Sequence, residues 1–211
     1  MKLDCYLPIA SGLKHNDLIT STGTVAKTEV VYTKQFRSPS CSISLRPFCV
    51  INDMRVICSW AWKISRAANM VAASYVYTGD SDFARSFMVL LDNHKPVCQV
   101  DICNAVKDEL NEYYPSSAGD YIIRILMNTH DKKIRPFQVS SLQTCLEYFF
   151  RFTEIEQIIA QPEADNKAYN ELLVKAGFSF EDAIYSQYSV SNLYTCTRQN
   201  FRDALSNDDI R

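Results

Sequence analysis

Asp120-Tyr121-Ile122-Ile123-Arg124-Ile125-Leu126-Met127 is an almost continuous apolar run broken only by Arg124. Such a run is typical of a central strand buried on both faces, so the chain must supply covering layers on each side of a sheet. The loop Tyr113-Tyr114-Pro115-Ser116-Ser117-Ala118-Gly119 delivers the chain into it. Upstream, Ser42 to Phe48 alternates apolar and polar residues with period two, as a half-buried strand does, and Pro47 ends it. After Asn52-Asp53, an N-cap signal, Met54, Ile57, Cys58, Trp60, Ala61 and Ile64 recur at helical spacing. Beyond a turn at Gly79-Asp80-Ser81-Asp82, the segments Ser86–Leu91 and Pro96–Ile102 flank the polar connector Asp92-Asn93-His94-Lys95 and predict a hairpin.

Downstream of the central strand, Pro136 suits a first helical turn, and Phe137, Val139, Leu142, Leu146, Phe149 and Phe150 form a wide apolar stripe. Ile155 to Ala160 reads as a strand that Pro162 halts. Asn166 caps a helix through Lys175 that closes at Gly177, and two further strands follow around Phe178 to Ile184 and Ser191 to Thr197. This order predicts a mixed α/β (α+β) domain over residues 41–211. Residues 1–40, rich in Ser, Thr and Lys, read as an N-terminal extension with one alternating stretch, Thr28 to Thr33, as a candidate strand.

Composition narrows the function. Lys+Arg at 22 against Asp+Glu at 24 gives a net charge of −2, which supplies no bulk positive field for nucleic acid or an anionic membrane. Met1 to Ala10 has too short an apolar run for a signal peptide, and Met70 to Tyr77, the nearest approach to a membrane span, is too short. The expectation is a soluble, cytoplasmic protein. Its eight cysteines lack Cys-x-x-Cys pairs, and three scattered histidines (His15, His94, His130) make metal ligands scarce, so reduced core thiols and no metal are expected.

The element order, together with Arg46-Pro47, Trp60, Gly119-Asp120-Tyr121, Gln161-Pro162-Glu163-Ala164-Asp165-Asn166 and Lys175-Ala176-Gly177-Phe178, resembles the GNAT acyltransferase superfamily. Within it, the likeness is to the acetyltransferases of hydroxamate-siderophore biosynthesis, which act on N-hydroxylated lysine-type amines. The resemblance spans roughly Ser42 to Phe201. It implies a mixed central sheet flanked by helices, acetyl-CoA as co-substrate and a small amine or hydroxylamine acceptor; a homodimer is left open. It also implies a slot where the central strand parts from its neighbour, beside Ile125, Leu126 and Met127. The next helix would then aim the amides of Phe137, Gln138 and Val139 at a pyrophosphate.

Two departures accompany the resemblance. No glycine lies between Gly119 and Gly177, where a Gly-x-Gly turn is usual, so Lys132, Lys133 and Arg135 are expected to compensate by charge. The positions of the family's acid/base pair hold Arg124 and Glu163. Arginine stays protonated, so Arg124 orients an acidic group or stabilises an oxyanion. Because a charge within a central strand needs a partner, an ion pair from Arg124 to Glu163 or Asp101 is expected, lowering that carboxylate's pKa. Asp101 is a candidate for holding a cationic amine, and Asn166 for both helix capping and ligand contact. The rival from another class is a catalytically silent GNAT-fold binding or docking module; a sugar- or antibiotic-amine acetyltransferase is a third reading.

Overall fold

Asp92 and Asn93 have φ of 50° and 61°, the paired positive values of a type I′ turn, which twists as the flanking strands do. They join β3 (Ala84–Leu91) to β4 (Lys95–Asn104), the predicted hairpin. The computed structural model describes residues 29–37, 40–64, 84–129, 131–185 and 189–208. The expected features at Met1–Ala10, Met70–Tyr77 and Gly79–Asp82, and the histidines His15 and His130, lie outside the described residues. Around the hairpin run β1 (Tyr32–Arg37), β2 (Ser40–Pro47), α1 (Val50–Ile64), β5 (Asp120–Met127), α2 (Gln138–Phe149), β6 (Gln157–Ala160), α3 (Lys167–Ala176), β7 (Ser179–Tyr185), β8 (Val190–Thr197) and α4 (Arg198–Asp208).

The eight strands form one mixed sheet in the order β1-β2-β3-β4-β5-β6-β8-β7. Every neighbouring pair is antiparallel except β5 and β6, which run parallel. Alternation along the strands sorts side chains onto two faces. Val100, Ile102 and Ile123 meet Leu142, Leu146 and Phe149 of α2 and Leu172 and Leu173 of α3. On the opposite face, Met88, Leu90 and Leu126 meet Ile57 and Trp60 of α1, while Ile122 and Ile159 meet Leu110 and Leu193.

Three local devices hold the helices. Asp53, buried in the first turn of α1, takes the Cys49 N–H at 2.8 Å and the Arg46 guanidinium at 2.6 Å, tying the helix to β2. This carboxylate explains why α1 starts at Val50, two residues before the expected cap: Asp53 caps from within the helix rather than ahead of it. Asn166 caps α3 by accepting the Tyr169 N–H, and Gly177 closes it at φ 108°.

Two elements differ from expectation. Of the expected strand Thr28 to Thr33, Thr28 lies outside the described residues, and the strand observed is Tyr32–Arg37, with Tyr32 and Phe36 turned inward as it pairs with β2. It is an edge strand of the same sheet, within the segment read as an extension. Helix α4 was not anticipated; Phe201 is buried on its sheet-facing side, and the rest of its sequence is too polar to show a stripe.

Candidate functional site

Strands β5 and β6 pair only at Asp120↔Gln157, Tyr121↔Ile158 and Ile122↔Ile159. Beyond Ile122 they part: β5 continues to Met127 on β4, while β6 ends at Ala160 ahead of Gln161-Pro162. The β6-facing backbone of Ile123 to Met127 is therefore left without a strand partner, and a cleft opens there, lined by Ile122, Ile123, Arg124, Ile125, Gln161 and Tyr169. Such an edge presents main-chain donors and acceptors in extended register, as an amide-bearing chain needs.

On the α1 side of the sheet, Asp101 of β4 stands opposite Arg124 of β5. Asp101 is 7% exposed and accepts hydrogen bonds from the Ser86 hydroxyl and, at 3.1 Å, the Gln99 side-chain amide. Burial pushes its carboxyl up to about 6, although Ser86, Gln99 and the Arg124 charge pull the other way. The expected lowering is thus overturned, because desolvation outweighs the neighbouring cation. Arg124 donates to Asp108 Oδ2 at 2.6 Å and to Cys103 Sγ at 3.6 Å. This ion-pair partner was not among the two expected: Asp108 lies in the loop after β4, where its other oxygen caps a short 3-10 turn through the Leu110 N–H. Burial also pushes the Cys103 thiol up to about 12, so it stays protonated and is no nucleophile.

Glu163 lies past Pro162 and is exposed; it forms an isolated bridge with Ser191, and its carbonyl accepts from the Asn170 amide at 3.0 Å. Its carboxylate is not among the groups lining the cleft. Asn166 is occupied as the α3 cap. Lys132, Lys133 and Arg135 are exposed on the loop before α2, which Asp131 fastens to β4 through Lys95 at 2.8 Å. Ahead of α2 the chain makes a 3-10 turn, in which the Phe137 N–H bonds Ile134 O and the Gln138 N–H bonds Arg135 O. Two of the three expected amide donors, those of Phe137 and Gln138, are thereby engaged.

The structure thus gathers Arg124 and Ile125 on the cleft with Asp101 beside them. Asp108, Gln99, Ser86 and Tyr169 were missed. Asp108 had one signal, since a charge in a central strand requires a partner; Gln99 had none beyond its place two residues before Asp101. Among the described residues no group of three His, Cys, Asp or Glu side chains could hold a metal. No described helix is long and apolar enough to cross a membrane.

Residues 52–185 match the acetyltransferase (GNAT) domain family. No curated protein matches the sequence. Among solved structures, an uncharacterized protein from Bacillus halodurans is similar at TM-score 0.71 and 16% identity, covering 83% of this chain and 94% of its own. The aminoglycoside acetyltransferase AAC(6')-Ib in complex with coenzyme A is similar at TM-score 0.63 and 16% identity, covering 76% and 98%. A spermidine N-acetyltransferase SpeG chimera, from Vibrio cholerae and hSSAT, is similar at TM-score 0.56 and 15% identity, covering 76% and 98%.

Proposed function

The chain belongs to the GNAT acetyltransferase family, and from that premise we propose that it transfers the acetyl group of acetyl-CoA to the nitrogen of an amine or hydroxylamine, with residues 41–211 as the transferase domain. The observation that carries this reading is the end of β5–β6 pairing after Ile122 and Ile159. The freed edge from Ile123 to Met127, including Ile125 and Leu126, takes the pantetheine arm and brings the thioester level with Arg124. Lys132, Lys133 and Arg135 meet the phosphates from the loop, with the Val139 amide behind them.

The acceptor enters on the α1 side. Asp101, as carboxylate, takes a proton from the ammonium; the nitrogen lone pair then attacks the thioester carbonyl. A C–N bond forms and the C–S bond breaks. The electron pair leaves on the coenzyme A sulfur, which takes up the second nitrogen proton. Arg124 stays cationic throughout, holding Asp108 and favouring the ionised form of Asp101. Glu163, exposed two residues after the cleft-lining Gln161, is proposed to guide the acceptor. The motifs from Arg46-Pro47 to Lys175-Ala176-Gly177-Phe178 support an acceptor of the siderophore-biosynthesis type, as the free amine or as its N-hydroxylated form. The names of the similar enzymes, acting on aminoglycosides and spermidine, support amine acceptors in general.

Titration calorimetry of the full chain with acetyl-CoA tests this reading, with saturable binding expected. Absence of binding at millimolar ligand favours the silent docking module, whose specific support is the glycine-free turn with its Phe137 and Gln138 amides already bonded.

A further inference from the structure

We propose that Gln99 and Asp101 together seat the acceptor's nitrogen as a primary ammonium, with Gln99 Oε1 as the second hydrogen-bond acceptor beside the Asp101 carboxylate. This deepens the transferase reading and rests on it. Gln99 is 1% exposed, and its amide nitrogen donates to Asp101 Oδ1 at 3.1 Å. That bond fixes which end of the amide is which: the nitrogen faces the carboxylate, and Oε1 is the free end. Among the described residues Oε1 has no hydrogen-bond partner. A buried carbonyl oxygen without a donor is costly, and this one is kept on β4 next to the stretch of β5 that has parted from β6.

Position supports the same use. Gln99 stands opposite Leu126 and Asp101 opposite Arg124, and both β5 residues belong to the length of β5 that has parted from β6. Gln99 and Asp101 therefore sit on the strand next to the one proposed to carry the thioester, with about 4.8 Å between the two backbones. The chemistry then selects the acceptor. Both groups accept hydrogen bonds, so a nitrogen that alone serves both must present at least two N–H donors, as a primary ammonium does with three. After Asp101 takes one proton, a second N–H stays on Gln99 Oε1 and holds the nitrogen while its lone pair points at the carbonyl carbon. A hydroxylamine nitrogen bearing one N–H cannot serve both groups in this way.

The test uses the full chain with acetyl-CoA and two probes, n-butylamine and N-butylhydroxylamine, read by thiol release. The wild-type protein is expected to turn over n-butylamine faster than N-butylhydroxylamine. Gln99→Met, of similar volume but without acceptor or donor, is expected to raise the n-butylamine KM about tenfold. It should leave the acetyl-CoA KM unchanged and move the melting temperature little, since an orphaned buried acceptor is removed together with the amide's bond to Asp101. An unchanged amine KM, preference for the hydroxylamine, or a protein that binds acetyl-CoA yet turns over neither probe overturns the inference while leaving acetyl-CoA binding intact. Failure to bind acetyl-CoA overturns the transferase reading, and this inference falls with it. Should Gln99→Met not fold, Gln99→Glu keeps an acceptor oxygen: a near-normal amine KM with the acid limb of the pH profile moved upward upholds the proposal. A tenfold loss of amine affinity in that variant refutes it.

Discussion

Asp101 of β4 faces Arg124 of β5 across the sheet ladder, yet the 2.6 Å ion pair of Arg124 goes to Asp108 in the following loop. The cation is near enough to favour ionisation of Asp101 but does not cancel the cost of burying it. The result is a carboxylate whose affinity for protons is set close to neutrality, the range in which a base both accepts and releases a proton readily. A fully salt-bridged aspartate would be too weak a base for an ammonium.

The first prediction concerns pH. The groups facing Asp101 are Ser86, Gln99 and Arg124, with Cys103 and Asp108 held at the far side of the guanidinium. With Asp101 raised from 3.8 to about 6, kcat/KM should climb along an acid limb centred near that value and level off above it. Stability runs the opposite way. The folded state holds this proton more tightly than the unfolded one, so the contribution favours folding at low pH and is lost as pH rises from about 4 through about 6. Its size is about 3 kcal/mol. Asp101→Asn should flatten this contribution in urea unfolding compared between the two ends of that window, and lower kcat about 100-fold or more at neutral pH. An Asn variant that retains full activity would remove Asp101 from the chemistry.

Arg124→Gln should act on both the loop and the base. It leaves Asp108, whose side chain is 9% exposed, without its cation, and a loss of about 1–2 kcal/mol is expected in chemical denaturation. The same change removes the Coulombic pull on Asp101, so the acid limb should move to higher pH. A stability loss with an unmoved limb would mean that Arg124 serves the loop alone.

Much of this arrangement was legible from residues 42–197, because the elements there announce themselves locally. The Asp120–Met127 run, the Asp92-Asn93 turn and the Asn166 and Gly177 caps each report a backbone requirement that a single residue type meets. The parting of β5 from β6 followed only from the family resemblance, since no local pattern marks where two distant strands stop pairing. The Arg124 partner was out of reach for the same reason: Asp108 and Arg124 are 16 positions apart, and only the paired β4–β5 register brings them together. The burial of Asp101 between β3 and β5 joins residues distant in the chain, Ser86 and Arg124 among them, so its raised pKa could not be read from neighbours in sequence. Helix α4, with Phe201 buried among polar residues, lacks the periodic stripe on which helix recognition depends.

Gly177→Ala tests the closure of α3. The residue sits at φ 108°, and a Cβ there would meet Ala204 Cβ at 3.0 Å and Asn200 O at 3.3 Å. Left-handed backbone with a side chain costs about 1–2 kcal/mol, and the contact with α4 adds to it. Lower stability with unchanged acetyl-CoA affinity is the expected pair of results, since neither Gly177 nor α4 borders the cleft. A drop in affinity matching the drop in stability would show that α3 closure positions Tyr169 for the ligand.

Removing the loop charges separates the two halves of coenzyme A recognition. Lys132, Lys133 and Arg135 are exposed, and the loop is anchored independently by the Lys95–Asp131 ion pair at 2.8 Å, so their replacement by alanine should not disturb the fold. With the Phe137 and Gln138 amides bonded inside the 3-10 turn, the proposed phosphate contact should depend on side-chain charge more than on helix amides. The triple variant should therefore bind acetyl-CoA at least about tenfold more weakly, and its binding should lose most of its salt dependence. Affinity for acetyl-pantetheine, which lacks the pyrophosphate, should be unchanged, because the site proposed for that part of the ligand is the free β5 edge. Equal weakening toward both ligands would place the three cations in the fold rather than at the phosphates.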